Sequence, residues 1–280
     1  MTRREEQVVL ITGCSTGIGR ALARELRTRG HRPFATARRP ESIADLAAEG
    51  VDTLQLDVKD TGSIDAAVRA VIDRAGTIDV LINNAGVNIF GPLAETPLDS
   101  LREVFDTNVL GLAAVTQAVF PYLAERRCGL IVNVGSLVGV LPTPFAGAYC
   151  ATKSAVHMLS EVLRMEVSPF GIDVVVVQPG GVKSSIADSG ARDLERYRSQ
   201  RSRYQPVYAG IEKRTYASQD NPMLAEDFAR ELVEQAFAMP APRLIRLGTG
   251  TDVLPRLAEL PGEQRDAMLS AHYGLDALKG

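Results

Sequence analysis

The stretch Val8-Val9-Leu10-Ile11-Thr12-Gly13-Cys14-Ser15-Thr16-Gly17-Ile18-Gly19 runs an apolar, β-type segment into a glycine-rich turn and then a helical pattern. Glycines at such a turn let the backbone bend tightly and approach a pyrophosphate, which then faces the positive end of the next helix. Glycines also simply end strands, so the pattern alone is weak. Its place between the first strand and first helix of an alternating chain is what favours a dinucleotide site. Outward from this turn, β-type runs at Val8–Thr12, Pro33–Ala37, Thr53–Leu56, Val80–Ile82, Leu130–Val134 and Asp173–Gln178 recur. Helical patterns near 18–29, 41–48, 62–75, 98–124 and 149–168 lie between them. In the third helix Ile64, Val68, Val71 and Ile72 share one face. The four valines at 174–177 read as a strand covered on both sides. The alternation predicts an α/β domain, a doubly wound parallel β-sheet spanning 1–280 as one unit.

Composition narrows the function. The chain has 280 residues, 45% hydrophobic and 23% charged, which excludes disorder and collagen-like repeats. A net charge of −3 argues against nucleic acid as a partner. Cys14, Cys128 and Cys150 are scattered, which fits neither a disulfide framework nor a metal site. The apolar stretch Val8–Ile11 is too short for a signal-peptide core of ~7–15 residues. No apolar run approaches the ~20 residues of a membrane span. A cytoplasmic protein without a membrane span is expected.

Chemistry-bearing residues cluster where strands end. Arg38 and Arg39 follow the second strand, with no acid between His31 and Pro40. An acid there would accept the ribose hydroxyls of NAD, whereas a guanidinium grips a 2′-phosphate bidentately. One charged hydrogen bond of about 1.5–3 kcal/mol amounts to a roughly 10- to 150-fold preference, so NADP(H) is the expected cofactor. The alternative is a solvated basic turn. Asp57 and Val58, past the third strand, stand where an adenine amino group would lie, and Asn84, Ala85 and Gly86 follow the fourth.

Tyr149 and Lys153 lie four apart at the start of a helix and so share a face. Ser136 follows the fifth strand, and Asn108 sits inside the long helix, where Asn usually costs stability. Reducing a ketone by hydride leaves an alkoxide that needs a proton, and a phenol of ordinary pKa near ~10 is a poor donor. A nearby ammonium should lower that pKa. Ser136 would hold the substrate oxygen, and Asn108, its backbone carbonyl freed, would anchor a water joining Lys153 to solvent. Singly these residues also read as a surface pair and a turn cap; their joint order does not.

TGCSTGIG at 12–19, NNAG at 83–86, Asn108, Ser136, YCATK at 149–153 and PGGV at 179–182 together resemble the short-chain dehydrogenase/reductase family, in its compact single-domain branch. The resemblance covers about Val8 to Gln178. It implies a Rossmann fold of about seven strands. It implies Tyr149 as catalytic acid/base and Lys153 as pKa modulator and nicotinamide-ribose ligand, with Ser136 the substrate-oxygen donor and Asn108 the relay anchor. Gly13, Ser15, Thr16, Gly17, Ile18 and Gly19 become cofactor contacts. Pro179 and Gly180 match the segment over the nicotinamide carboxamide, and Val182 the expected backbone contact. Two departures stand out. Lys183-Ser184-Ser185 replaces a common threonine, so Ser184 is expected to substitute, and Gly135 stands where a hydroxyl residue is frequent, with little expected consequence. Homodimers or homotetramers through helices 98–124 and 149–168 are also implied.

After Pro179 the composition shifts. Residues 183–222 are rich in Arg, Ser, Tyr and Gln, either a substrate lid or a surface excursion. The basic run from Arg192 to Arg203 reads as a solvated helix face. A helix near 224–238 and a strand at Leu244–Leu247 follow, and the extension at 251–280 either caps the substrate side or adds core. ATARRPESI, the Tyr-rich segment 197–216 and His272-Tyr273-Gly274-Leu275 are similar to 17β-hydroxysteroid and retinol dehydrogenase-type reductases. That similarity implies a lipophilic carbonyl or alcohol substrate. Two rivals remain. A nucleotide-sugar epimerase would share Tyr149 and Lys153 but has a longer chain and TGxxGxxG spacing. A non-catalytic NADP-binding sensor or scaffold would usually lack one of the four catalytic residues, all present here.

Overall fold

The computed structural model describes residues 5–185, 191 and 194–279. The strands are β1 (Val8–Ile11), β2 (Arg32–Ala37), β3 (Asp52–Gln55), β4 (Val80–Asn83), β5 (Gly129–Val134), β6 (Ile172–Pro179) and β7 (Leu244–Leu247). All pair in parallel in the order β3-β2-β1-β4-β5-β6-β7. The order reverses direction between β1 and β4, where an open α/β sheet leaves a crevice at its carboxyl edge. Every strand lies within one residue of its sequence reading.

Helices cover both faces because β1 alternates its apolar side chains. Val9 and Ile11 face α1 (Gly17–Thr28) through Leu22 and Leu26. Val8 and Leu10 face the other side, against Ile64 and Val68 of α3 (Thr61–Ala75). Between them α2 is short (Ala44–Ala48), preceded by a 3-10 turn Pro40–Ile43 in place of one continuous helix at 41–48. Asp60 starts α3 by accepting from the amides of Gly62 and Ser63, which satisfies donors a helix start leaves open.

The long helix expected at 98–124 is composite: α4 (Leu98–Phe105), a π turn (Asp106–Leu110) and α5 (Gly111–Arg126). By length and hydropathy Leu98–Arg126 could cross a bilayer, yet 44% of its apolar window is buried here. Val115, Val119 and Leu123 pack it into the core beneath the sheet. α6 (Gly147–Val167) lies against β5 and β6 and carries Tyr149 and Lys153. A buried polar chain fixes its position: Asn83 donates to Asn133 at 2.9 Å, and Asn133 donates to Ser160 of α6 at 2.9 Å.

Residues 183–222 form an ordered cap where they are described, with α7 (Leu194–Arg198) and α8 (Tyr208–Tyr216). Residues 186–190 and 192–193 of the expected lid, Arg192 among them, lie outside the described residues. Arg196, Arg198, Arg201 and Arg203 are exposed, as a solvated face requires. After α9 (Ala225–Ala236) and β7, the extension forms α10 (Leu254–Ala258) and α11 (Gly262–Tyr273). It adds core, because Leu269 and Tyr273 pack together with Tyr197, Val207 and Ile211 of the preceding segment.

Asn133→Ala should destabilise the fold by about 1–3 kcal/mol, since it strips partners from buried amide and hydroxyl groups on β4 and α6. Urea denaturation measures this; an unchanged midpoint would show that the polar chain does not hold α6.

Candidate active site

A cleft of about 850 Å³ opens along the carboxyl ends of the strands. Its first wall is the glycine-rich turn. Thr12 Oγ1 accepts from the amides of Asn84 and Ala85, both at 3.0 Å, and Asn84 Nδ2 donates to the carbonyls of Thr12 and Gly13. Gly13 has φ of +74°, and a Cβ there would lie 2.7 Å from the Ala85 backbone. A Cβ at Gly19 would lie 2.4 Å from Asn84 Nδ2. Gly19 therefore sets the packing of α1 on the sheet and does not itself line the cleft.

The α1 start lacks a side-chain cap and has no acid in its first turn. Its amides are left for an anion, and the bare glycine surface admits a pyrophosphate. Ser15, Thr16, Gly17 and Ile18 line this end. Ser184 stands directly over the turn: a Cβ on Gly17 would come within 2.9 Å of its Cβ, the position expected of a threonine substitute. Thr16 and Ser185 hydroxyls meet at 2.7 Å. Arg38 and Arg39 line the cleft, exposed and with no ion-pair partner among the described residues. Arg20 and Arg24 nearby are paired with Asp45 and Glu49. Asp57 and Val58 line the cleft beyond the arginines, and Ala85, Gly86, Pro179, Gly180 and Val182 line it toward Ser136 and Tyr149. The residues fit a nicotinamide dinucleotide.

At the reaction end Ser136, Tyr149 and Lys153 share the wall. Lys153 Nζ donates to the Val134 carbonyl at 2.8 Å and lies 5.6 Å from the centre of the Tyr149 ring. Burial pulls the ammonium down to about 8, which leaves it charged at neutral pH. Burial pushes the Tyr149 phenol up to about 12, with a hydrogen bond from Ser136 and the charge of Arg214 pulling against it. The lowered phenol expected from the nearby lysine is not found here: burial is the largest influence on Tyr149, and it raises the phenol. Ser136 also caps the 3-10 turn Leu137–Gly139 by accepting from Val138, so cap and catalytic candidate are one residue.

Asn108 does not line the cleft. Within the π turn its Oδ1 accepts from Val87 at 2.8 Å, and its Nδ2 donates to the Val87 carbonyl and Thr152. The side chain thus ties the loop after β4 to α6.

Two residues escaped the sequence reading. His157, one turn beyond Lys153, fills the space under Ser136: a Cβ on Gly135 would lie 2.3 Å from its Nε2. Gly135 is therefore required by this histidine, a correction to the view that it changes little. A glycine beside Ser136 and a histidine four residues after Lys153 were the available signal. Arg214 of α8 also lines the cleft, and no motif around it marked it in the sequence.

The profile of the short chain dehydrogenase family matches residues 7–195. The chain belongs to that family. A 3-ketodihydrosphingosine reductase of Bacteroides thetaiotaomicron is 39% identical over 186 residues, 66% of this chain and 67% of that one. An NADPH-dependent 1-acyldihydroxyacetone phosphate reductase of Schizosaccharomyces pombe is 40% identical over 185 residues, 65% of this chain and 62% of that one. A solved short chain dehydrogenase/reductase of Burkholderia phymatum in complex with NAD has a TM-score of 0.80 at 26% identity, covering 96% of this chain and 97% of that one. Membership of the short-chain dehydrogenase family makes the protein an oxidoreductase of the alcohol–carbonyl pair that works with a nicotinamide cofactor.

Burial, with the charges of Lys153 and Arg246, holds the His157 imidazole down at about 4. An unfolded chain takes up that proton near ~6.5. Stability should therefore fall as pH drops from about 6.5 toward 4, where the unfolded state binds the extra proton. His157→Gln should flatten that acid limb in urea titrations run across the same range; an unaltered limb would place the effect elsewhere.

Proposed function

We propose that the protein is an NADP(H)-dependent oxidoreductase that moves a hydride between nicotinamide and a lipophilic ketone or secondary alcohol. The observation that carries this reading is one cleft with Ser136, Tyr149 and Lys153 at one end and an uncapped helix start at the other. When bound, the cofactor supplies or accepts the hydride. Ser136 and Tyr149 hold the substrate oxygen, and Tyr149 gives it the proton in reduction. Lys153 holds the nicotinamide ribose and returns the proton to Tyr149, through a water on the Asn108 carbonyl. Asn108 acts here as a positioning residue.

Arg38 and Arg39 support NADP(H), both free of acids among the described residues, and a relative is NADPH-dependent. A lipophilic substrate suits the walls supplied by Phe90, Leu141, Leu254, Leu257 and Leu269. It also suits the relatives named for 3-ketodihydrosphingosine and 1-acyldihydroxyacetone phosphate. Assembly as a homodimer or homotetramer is supported by apolar surface on α6, where Met158 is 67% and Met165 59% exposed, and on α4 at Leu98 and Phe105. Light scattering decides it: a monomer at micromolar concentration overturns the assembly. A cytoplasmic location suits three unpaired cysteines.

Titration with NADPH and NADH, followed by NADPH oxidation with ketosteroids, retinal, long-chain ketones and quinones, tests the reading. Tyr149→Phe should lower turnover about 10²- to 10⁴-fold while leaving NADPH affinity nearly intact. Arg38→Asp should erase a preference of roughly 10- to 150-fold for NADPH. Tight cofactor binding without turnover of any ketone would replace the enzyme by a sensor or scaffold.

A further inference from the structure

Arg214, in the last turn of α8, is 6% exposed. Its guanidinium carbon lies 5.2 Å from the centre of the Phe90 ring. Nε is buried and has no hydrogen-bond partner, and the side chain forms no ion pair among the described residues. Arg126, which is partly buried, has an acid beside it in Asp79. Of the carboxylates on the cleft wall, Asp57 accepts from Lys59 on the adenine side and Asp220 is exposed. Neither pairs with Arg214.

A buried guanidinium without a counter-charge is unfavourable, and the face of one phenyl ring compensates only in part. A neutral side chain would stack on Phe90 without that cost. Arg214 borders the cleft, so its missing acceptor can enter with a ligand. Its charge also reaches the phenols of Tyr149 and Tyr273, which puts it within electrostatic range of the reaction end. Around it the walls are apolar, through Val138, Leu141, Leu257 and Leu269.

We propose that Arg214 is a specificity residue that binds an anionic group, carboxylate or phosphate, on an otherwise apolar carbonyl substrate. The proposal rests on the oxidoreductase reading of the cleft and narrows its substrate class to amphiphilic anions. A planar fork is suited to both anions, and the charged hydrogen bonds should add about 10- to 100-fold in affinity.

Calorimetric titration of the NADP⁺-loaded protein with octanoate, octyl phosphate and octanol tests this without turnover. Octanoate or octyl phosphate should bind at least about 10-fold more tightly than octanol. Whichever anion binds better assigns the group. Arg214→Met, which keeps an apolar stem over Phe90, should reduce the anion to the affinity of octanol and leave octanol unchanged. Arg214→Lys keeps the charge and should retain most of the discrimination, which covers the case where the methionine variant does not fold. Equal affinity for anions and octanol in the wild type, no binding of either anion, or discrimination that survives Arg214→Met would overturn the proposal. Those results leave the oxidoreductase reading standing; that falls only if the wild type fails to bind NADPH or reduces no ketone, neutral ones included.

Discussion

The carboxyl ends of β1 and β4 are held together by hydrogen bonds among Thr12, Gly13, Asn84 and Ala85. These strands flank the point where the sheet changes winding direction, so this clasp sets the width of the crevice there. It works only because Gly13 and Gly19 lack side chains. With the two strand ends this close, the open start of α1 faces the cleft. The Asn83–Asn133–Ser160 chain carries the same register across to α6. Tyr149 and Lys153 thus inherit their position from contacts that begin at the glycine-rich turn.

Burial governs the electrostatics of the reaction end. Tyr149 is driven up, Lys153 and His157 down, each toward its uncharged form and each chiefly by desolvation. A dry site of this kind strengthens whatever fixed charges it keeps. Lys153 is held by a backbone carbonyl, and Arg214 by packing alone. The two cations are therefore held differently, one by a hydrogen bond and the other against an aromatic face.

Much of this was legible in the sequence because it rests on local pattern. Apolar runs such as Val174–Val177 announce buried parallel strands, and the glycine turn, Ser136 and the Tyr149–Lys153 pair sit at fixed places relative to them. The expected continuous helix at 98–124 is interrupted by a π turn at Asn108, which the helical pattern did not show. What escaped depends on relations between distant segments. Gly135 looked incidental until His157 was seen beneath it, twenty-two residues later in the chain. Arg214 is one of 26 arginines, and nothing near it in sequence distinguishes it. Its meaning lies in the acids it does not meet. The phenol shift of Tyr149 was misjudged because charge spacing is visible in sequence and degree of dehydration is not.

The cap and the chain's end share one small core, in which the Tyr273 carbonyl leaves no space for a side chain at Gly210. Two segments separated by β7 therefore shape one wall of the cleft jointly, while the sheet beneath is packed through other residues. A lineage that exchanges one substrate for another has to rewrite both segments in step. The dinucleotide half can meanwhile stay as it is, and sequence drift should concentrate in the cap and tail as a coupled pair.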